Sequence, residues 1–597
     1  MTRKTKTVLY SAVFMITAIS MVVLCYLKGI VPFGSKGSMA IMDAQIQYLD
    51  FFAYLKDVLN GTQKIGYTFN RTLGGNNIAV FAYYLSSPFN LLVAFFRKDQ
   101  LQAFFTVIVI LKLSMASMTC SIVLRNRFKN LEIAVLMALS LGYGMMQYNI
   151  AQASNIMWLD GVYMLPLILL GVHQLVNENK KALLMAAAGI ALVFNWYSAA
   201  IDFLFSVIWF MYEVLLITPV ERSNIKKMVD HIVRYCIAMG TALMIGAFLF
   251  LPAALAMSDG KGNVEWIPIL GIYGWGNIFS FIQRFELGSR SEYGSVSLYC
   301  GSLAVIGCIA YMLCKKIDRN KKILHSILIV FVLSLFYIPV FVWGFSLLKV
   351  VGSYWYRYSY IGIITLIVIA AEFFSVKDQE TNTRALMWKA TAVAVLVLFF
   401  MEYVKPLGKP FNVYMTVLAF IATMLFTDIL FWTKRVSVKR IVIFLMAVTV
   451  STELVYNAKL IMTLDGGVEH FTQYAEDEMK LIGQLQQQDG GFYRINQTST
   501  RDVDGNKLTA NYNEGIAYNY KSISGYTSDP DRNQLLFMKQ MGYAICGDVM
   551  NVVNTSVLGA DSILGVKYVL SSYDIPGLKK LENIEPGNGK SVCYYHY

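Results

Sequence analysis

The sequence predicts a mainly α protein, a polytopic membrane helical bundle of about 13 spans followed by an extracytoplasmic α/β domain. Three observations predict it. Hydrophobic residues fill 56% of the 597 positions and charged residues only 15%, more apolar surface than a water-soluble core could hide. Apolar runs of spanning length recur from residue 8 to residue 457. Beyond 457 the chain becomes rich in Asn, Asp, Gly, Ser and Tyr. The expected units are therefore a transmembrane domain over 1–457 and a mixed α/β domain over 458–597.

The first run, VLYSAVFMITAISMVVLCYL (8–27), follows Arg3, Lys4 and Lys6, which places the N-terminus in the cytoplasm. No small-residue cleavage site comes after it, so it reads as a span and not as a removable leader. Further spans are expected near 101–124, 131–148, 161–176, 182–198, 201–217, 232–255, 301–314, 323–348, 359–374, 388–403, 411–431 and 440–457. Alternate loops sort by charge. One set carries Arg125, Arg127 and Lys129; Lys180 and Lys181; Arg222, Lys226 and Lys227; Lys315, Lys316, Arg319, Lys321 and Lys322; Lys377 and Arg384; and Lys434, Arg435, Lys439 and Arg440. The other set includes QASNIMWLD (152–160) and NWYSAAID (195–202), with no Lys or Arg. The basic set is cytoplasmic by the positive-inside rule. The net charge of +13 thus belongs largely to topology and gives no reason to expect nucleic acid.

The stretch IAVFAYYLSSPFNLLVAFF (78–96) is also long enough to cross, but counting it would invert every later loop. It is expected to be re-entrant or interfacial, broken near Pro88, inside a long first outer loop (28–100). In the tail, GFYRINQ and GVKYVLSS read as strands separated by turn signals such as DG, GG and SDPD. The eight cysteines show no CxxC spacing, so no zinc site is expected; Cys546 and Cys593 could pair.

Asp43, Gln47, Asp50, Tyr54 and Asp57 recur at steps of 4, 3, 4 and 3, one face of a helix. The expected element is an amphipathic helix along the membrane surface, with Asp50 and Asp57 solvated. Asp43 at its start is either an N-cap or a general base at the membrane–water boundary. Asp160 stands at the outer end of a span beside Trp158. It is either a functional acid at costly depth or an interfacial residue in an aromatic belt. Arg284 and Arg290 lie in FIQRFELGSRSEYGS, and Arg357 lies in SYWYRYSYIG next to Tyr356. Arginine among aromatics at this level suits a lipid phosphate with a sugar stacked beside it, or plain interface anchoring.

Taken together, MDAQIQYLDFFAYLKDVLNG, LGGNNIAVFAYYLSSPFNLL, WLDGVYMLPLILLG and SYWYRYSYIGIITLIVIAAE resemble the YfhO family of bacterial membrane proteins. FYRI, YKSISGYTS and SILGVKYVLSS extend the resemblance into the tail. It implies a GT-C-type glycosyltransferase in the bacterial plasma membrane, with its tail domain extracytoplasmic. The implied donor is a polyprenyl-phosphate-linked sugar; the implied acceptor is a cell-wall polymer such as teichoic or lipoteichoic acid, or a glycolipid. Asp43 matches the family's first catalytic acid and Asp160 the second. Arg357, Arg290, Arg284 and Tyr356 are the expected donor-binding residues, with Gln47, Tyr48 and Asn76 supporting the first loop. No cofactor and no metal are expected, a divalent cation being the less favoured alternative. Family members usually finish with a further span, so a chain ending in SVCYYHY is expected to be truncated or a short variant. The rival functions are a transporter or flippase of lipid-linked glycans and a non-catalytic envelope scaffold.

Overall fold

Long apolar runs leave their backbone polar groups no water to bond, so they close into helices. In the computed structural model of the chain, each of the thirteen predicted runs lies largely on helix. The described residues are 2–218, 221–257, 278–289, 296–351, 353–376, 381–404, 409–498, 501, 510–527, 530–543, 552–553 and 556–595. The helices are α1 (Arg3–Lys28), α2 (Leu49–Leu59), α3 (Leu101–Arg127), α4 (Ile133–Gly144), α5 (Leu159–Glu178), α6 (Ala182–Phe194) and α7 (Trp196–Ile217). They continue as α8 (Ile225–Met257), α9 (Ser302–Leu313), α10 (Arg319–Ser334), α11 (Ser359–Ser375), α12 (Thr381–Val404), α13 (Pro410–Trp432), α14 (Val436–Ile461) and α15 (Val468–Gln488).

Among the described residues, nine helices are long and apolar enough to cross a membrane, or eleven if two bent pairs each count as one. Three predicted spans, α6, α9 and α11, are shorter, at 13, 12 and 17 residues. One bent pair is Ile78–Leu85 with Pro88–Phe95, kinked by 93°. Pro88 stands at the first position after the break, so the predicted interruption of this stretch is present. The other is α10 with Pro339–Phe345, kinked by 81°. The bundle packs closely through small residues. A Cβ added to Gly307 would sit 2.6 Å from that of Ala370, so α9 and α11 meet without intervening side chains.

Two faces separate as the charge pattern predicted. Lys439 pairs with Glu132, Arg127 with Glu213, and Lys321 with Glu372, which gathers the basic loops on one face. Arg127, Glu213, Lys321 and Glu372 line a cavity of about 890 Å³ there. The first long loop and the tail meet on the other face.

The stretch 195–202 is not a loop. Asn195 alone turns the chain, and its side-chain oxygen accepts from the Ser198 N–H at 2.8 Å to cap α7. Nor does α2 lie exposed on a surface. It is buried along nearly its whole length between bundle and tail. Asp50 and Asp57, expected to be solvated, are buried: Asp50 accepts from Arg501 at 2.6 Å and Asp57 from Lys98 at 2.7 Å.

The tail packs α15 against a four-stranded mixed sheet. Its strands are β1 (Arg494–Gln497), β2 (Val566–Ser571), β3 (Leu578–Lys580) and β4 (Ser591–Tyr595), in spatial order β1-β2-β4-β3. Only β1 and β2 are parallel. Lys590 reaches Glu478 at 2.8 Å and Gln497 at 2.7 Å in the core between helix and sheet. Cys546 lies outside the described residues.

Candidate active site

Asp43 precedes a five-residue π turn, Ala44–Tyr48, that leads into α2. It caps no helix N–H, so the capping role is not realised. The carboxylate is half-buried and faces the Arg357 charge and the Tyr354 hydroxyl. Burial pushes its carboxyl above the ordinary range, while Arg357 and Tyr354 pull the other way. Met42, Tyr354 and Tyr356, all non-glycine, hold left-handed φ values of 50°, 52° and 53° beside these two charges. Such backbone costs about 1–3 kcal/mol per residue and persists only where packing dictates it.

Four further parts of the chain complete the wall. The Arg357 guanidinium lies 4.7 Å from the Trp158 ring and 5.7 Å from that of Tyr197. It donates to the Tyr197 hydroxyl at 3.1 Å and to the carbonyls of Tyr354 and Ser353, both at 3.2 Å. Among the described residues no carboxylate forms a salt bridge with it. Trp158 donates its indole N–H to the Tyr83 hydroxyl at 3.1 Å, and Asn195 donates to the Tyr83 carbonyl at 2.7 Å. The bent segment Ile78–Phe95, the loop before α5, the start of α7 and the loop before α11 therefore converge on Asp43.

Gln47 and Tyr48 anchor the turn. Gln47 accepts from the Tyr84 hydroxyl at 3.2 Å, and Tyr48 donates to Asn155 at 3.1 Å. The tail holds the same turn from the other side. Arg501 donates to the Gln45 carbonyl at 3.2 Å, Asn513 donates to that of Ile46 at 3.1 Å, and Gln45 bonds Asp465.

The remaining predicted residues stand elsewhere. Asp160 accepts from Lys112 Nζ, the Ser87 hydroxyl and the Tyr163 hydroxyl, each at 2.7 Å. Both partners of the ion pair are 1% exposed, so the acid is an anchor that fixes the bent segment to α3 and α5. The Tyr356 ring is buried in the core against Phe336 at 5.6 Å. Asn76 is exposed and caps the Ile78 N–H at 2.8 Å at the start of the bent segment. Arg284 lies on the short helix Ile278–Phe285, and Arg290 lies outside the described residues. Among the described residues no group of three or more His, Cys, Asp and Glu could hold a metal. No motif or spacing marked Tyr83, Tyr197 and Arg501 in advance. For Tyr197 the one signal was the aromatic, Arg- and Lys-free character of 195–202.

The family profile described as bacterial membrane protein YfhO matches residues 12–595. The chain belongs to the YfhO family. No curated protein sequence matches it. Among solved structures, the arabinofuranosyltransferase AftD from Mycobacteria aligns over 100% of this chain and 40% of its own, with TM-score 0.51 and 12% identity. ArnT from Cupriavidus metallidurans bound to undecaprenyl phosphate aligns over 99% of this chain and 98% of its own, with TM-score 0.44 and 11% identity. This YfhO-family chain thus has the GT-C bundle as its fold, a multi-pass membrane architecture.

Proposed function

We propose that the protein transfers a sugar from a polyprenyl-phosphate carrier to a hydroxyl on an extracytoplasmic acceptor, such as teichoic or lipoteichoic acid, with inversion. The observation that carries this reading is the opposition of Asp43 and Arg357 across an aromatic wall, on the face away from the basic loops. By the positive-inside rule that face is outside the cell. Among the described residues no carboxylate is in direct contact with Arg357, which leaves its charge for an anionic headgroup. The name of the AftD enzyme, whose fold the chain shares, agrees with glycosyl transfer.

The chemistry is one displacement. Asp43 takes the proton from the acceptor hydroxyl as its oxygen bonds the anomeric carbon. The bond from that carbon to the carrier phosphate breaks, and the phosphate leaves with the electron pair. Arg357 balances the charge that grows on it. A raised Asp43 pKa makes the carboxylate a stronger base. Tyr354 orients Asp43, and the buried rings of Trp158 and Tyr197 hold the Arg357 guanidinium in place.

The test uses purified protein in vesicles with a radiolabelled polyprenyl-phosphate sugar and a lipoteichoic acceptor. Label should move to the acceptor, and Arg357→Gln should weaken donor use. Label that crosses between leaflets without joining any acceptor would replace this reading with a flippase.

A further inference from the structure

A second cavity, of about 460 Å³, opens where the first loop meets the tail, well away from Asp43. Its volume is that of a small-molecule site. One wall is the loop after α2, with Lys64, Tyr67 and Phe69; the other is the tail, with Gln486, Asn519 and Lys521. Tyr67 is 59% exposed and Phe69 40%, and Phe492 beside them is 63% exposed. The three rings stack edge to face in a row, Tyr67 to Phe69 at 5.3 Å and Phe69 to Phe492 at 5.4 Å. A run of exposed rings over a polar cavity is costly in water and marks a binding surface.

The charges indicate what binds. Lys64 and Lys521 stand on opposite walls, and among the described residues neither forms a salt bridge. Lys521 Nζ lies 5.0 Å from the Phe492 ring and 5.9 Å from that of Tyr493. Asp489, the one carboxylate among the described lining residues, is already bonded by Lys567 at 2.5 Å and by the Tyr568 hydroxyl at 2.9 Å. The cavity therefore presents two ammonium groups, side-chain amides and aromatic faces. Amides suit hydroxyls, flat rings suit the C–H faces of sugars, and the ammonium groups suit phosphate or carboxylate.

We propose that this cavity grips an anionic glycan chain, the acceptor polymer, at a point remote from its reacting hydroxyl. The inference rests on the glycosyltransferase reading. α2 separates the two sites, and its eleven residues rise about 16 Å. A chain that fills both sites is several units long. Remote binding energy of this kind favours long acceptors over short ones.

The test measures binding of maltoheptaose and of phosphorylated maltoheptaose to the purified full-length protein by calorimetry, at two salt concentrations. The phosphorylated oligomer should bind more tightly, by a margin that shrinks with salt. Lys64→Gln with Lys521→Gln should cost about tenfold for that oligomer alone, the size of one charge-assisted bond. Tyr67→Ala should weaken both oligomers. All three positions are solvent-accessible, so these variants keep the fold. Equal binding by wild type and variants, or loss of binding to phosphatidylglycerol vesicles in place of the glycan, overturns the proposal. Asp43→Asn should leave oligomer binding intact. A catalytic reading that fails while binding survives is therefore distinguishable from failure of this site.

Discussion

Lys112→Met removes the only cation in contact with Asp160 among the described residues. The carboxylate keeps its two hydroxyl donors but stays 1% exposed. Breaking a buried pair from one side costs about 3–5 kcal/mol, because the remaining charge is stranded. Asp160→Asn strands Lys112 in the same way, with the Ile156 carbonyl at 3.0 Å as its other acceptor. The double variant removes both charges. Its new amide oxygen can still accept from Ser87 and Tyr163, so most of the loss should return, with a coupling of about 2 kcal/mol or more. Unfolding of the three variants in mixed micelles, titrated with dodecyl sulfate, measures this cycle. The folded double variant should also keep sugar transfer. Additive losses would refute the ion-pair account, and a stable but inactive double variant would return Asp160 to the chemistry.

Three other outcomes follow from the same geometry. Asp43 must be ionised to accept a proton, and burial raises its pKa. Transfer should therefore rise with pH along a limb that lies above the ordinary carboxylate range, and a pH profile of kcat/KM reads it. Arg501→Leu should loosen the docking of the tail, since it leaves Asp50 and Glu514 buried without their cation and able to shed their charge only by taking up protons. Limited proteolysis should then cut the turn at 44–48 faster and transfer should fall with it. Burial holds the Asp50 and Glu514 carboxyls above their ordinary range. The folded state thus binds extra protons, so tail docking should be firmest in mild acid and weaken as pH rises through their folded values; protease protection against pH checks the sign.

The bundle was legible because lipid forces one solution on an apolar run, and loop charge then orients it. The broken segment at Pro88 was legible for a related reason: its length and the parity of the loops disagreed. Asp43 could be singled out at the start of a polar helix face and Arg357 as a charge among outer aromatics, but their meeting across more than three hundred residues could not. The same distance hid the true state of Asp50, whose partner Arg501 lies 451 residues away. An alternating pattern shows that a helix has a polar face, yet it does not show whether water or another domain covers that face. The partner of Asp160 was hidden for the same cause, since Lys112 sits on a different helix 48 residues earlier. The loop expected at 195–202 failed on a smaller scale, because one Asn cap was enough to turn the chain.

Asp43→Asn, assayed for donor binding and for transfer in the same preparation, tests the central claim most directly. The account predicts donor binding close to wild type, because Arg357 and the aromatic wall remain, with transfer reduced by about 10²–10⁴ through loss of the base. Transfer that persists at the wild-type rate with a neutral side chain at position 43 would contradict it.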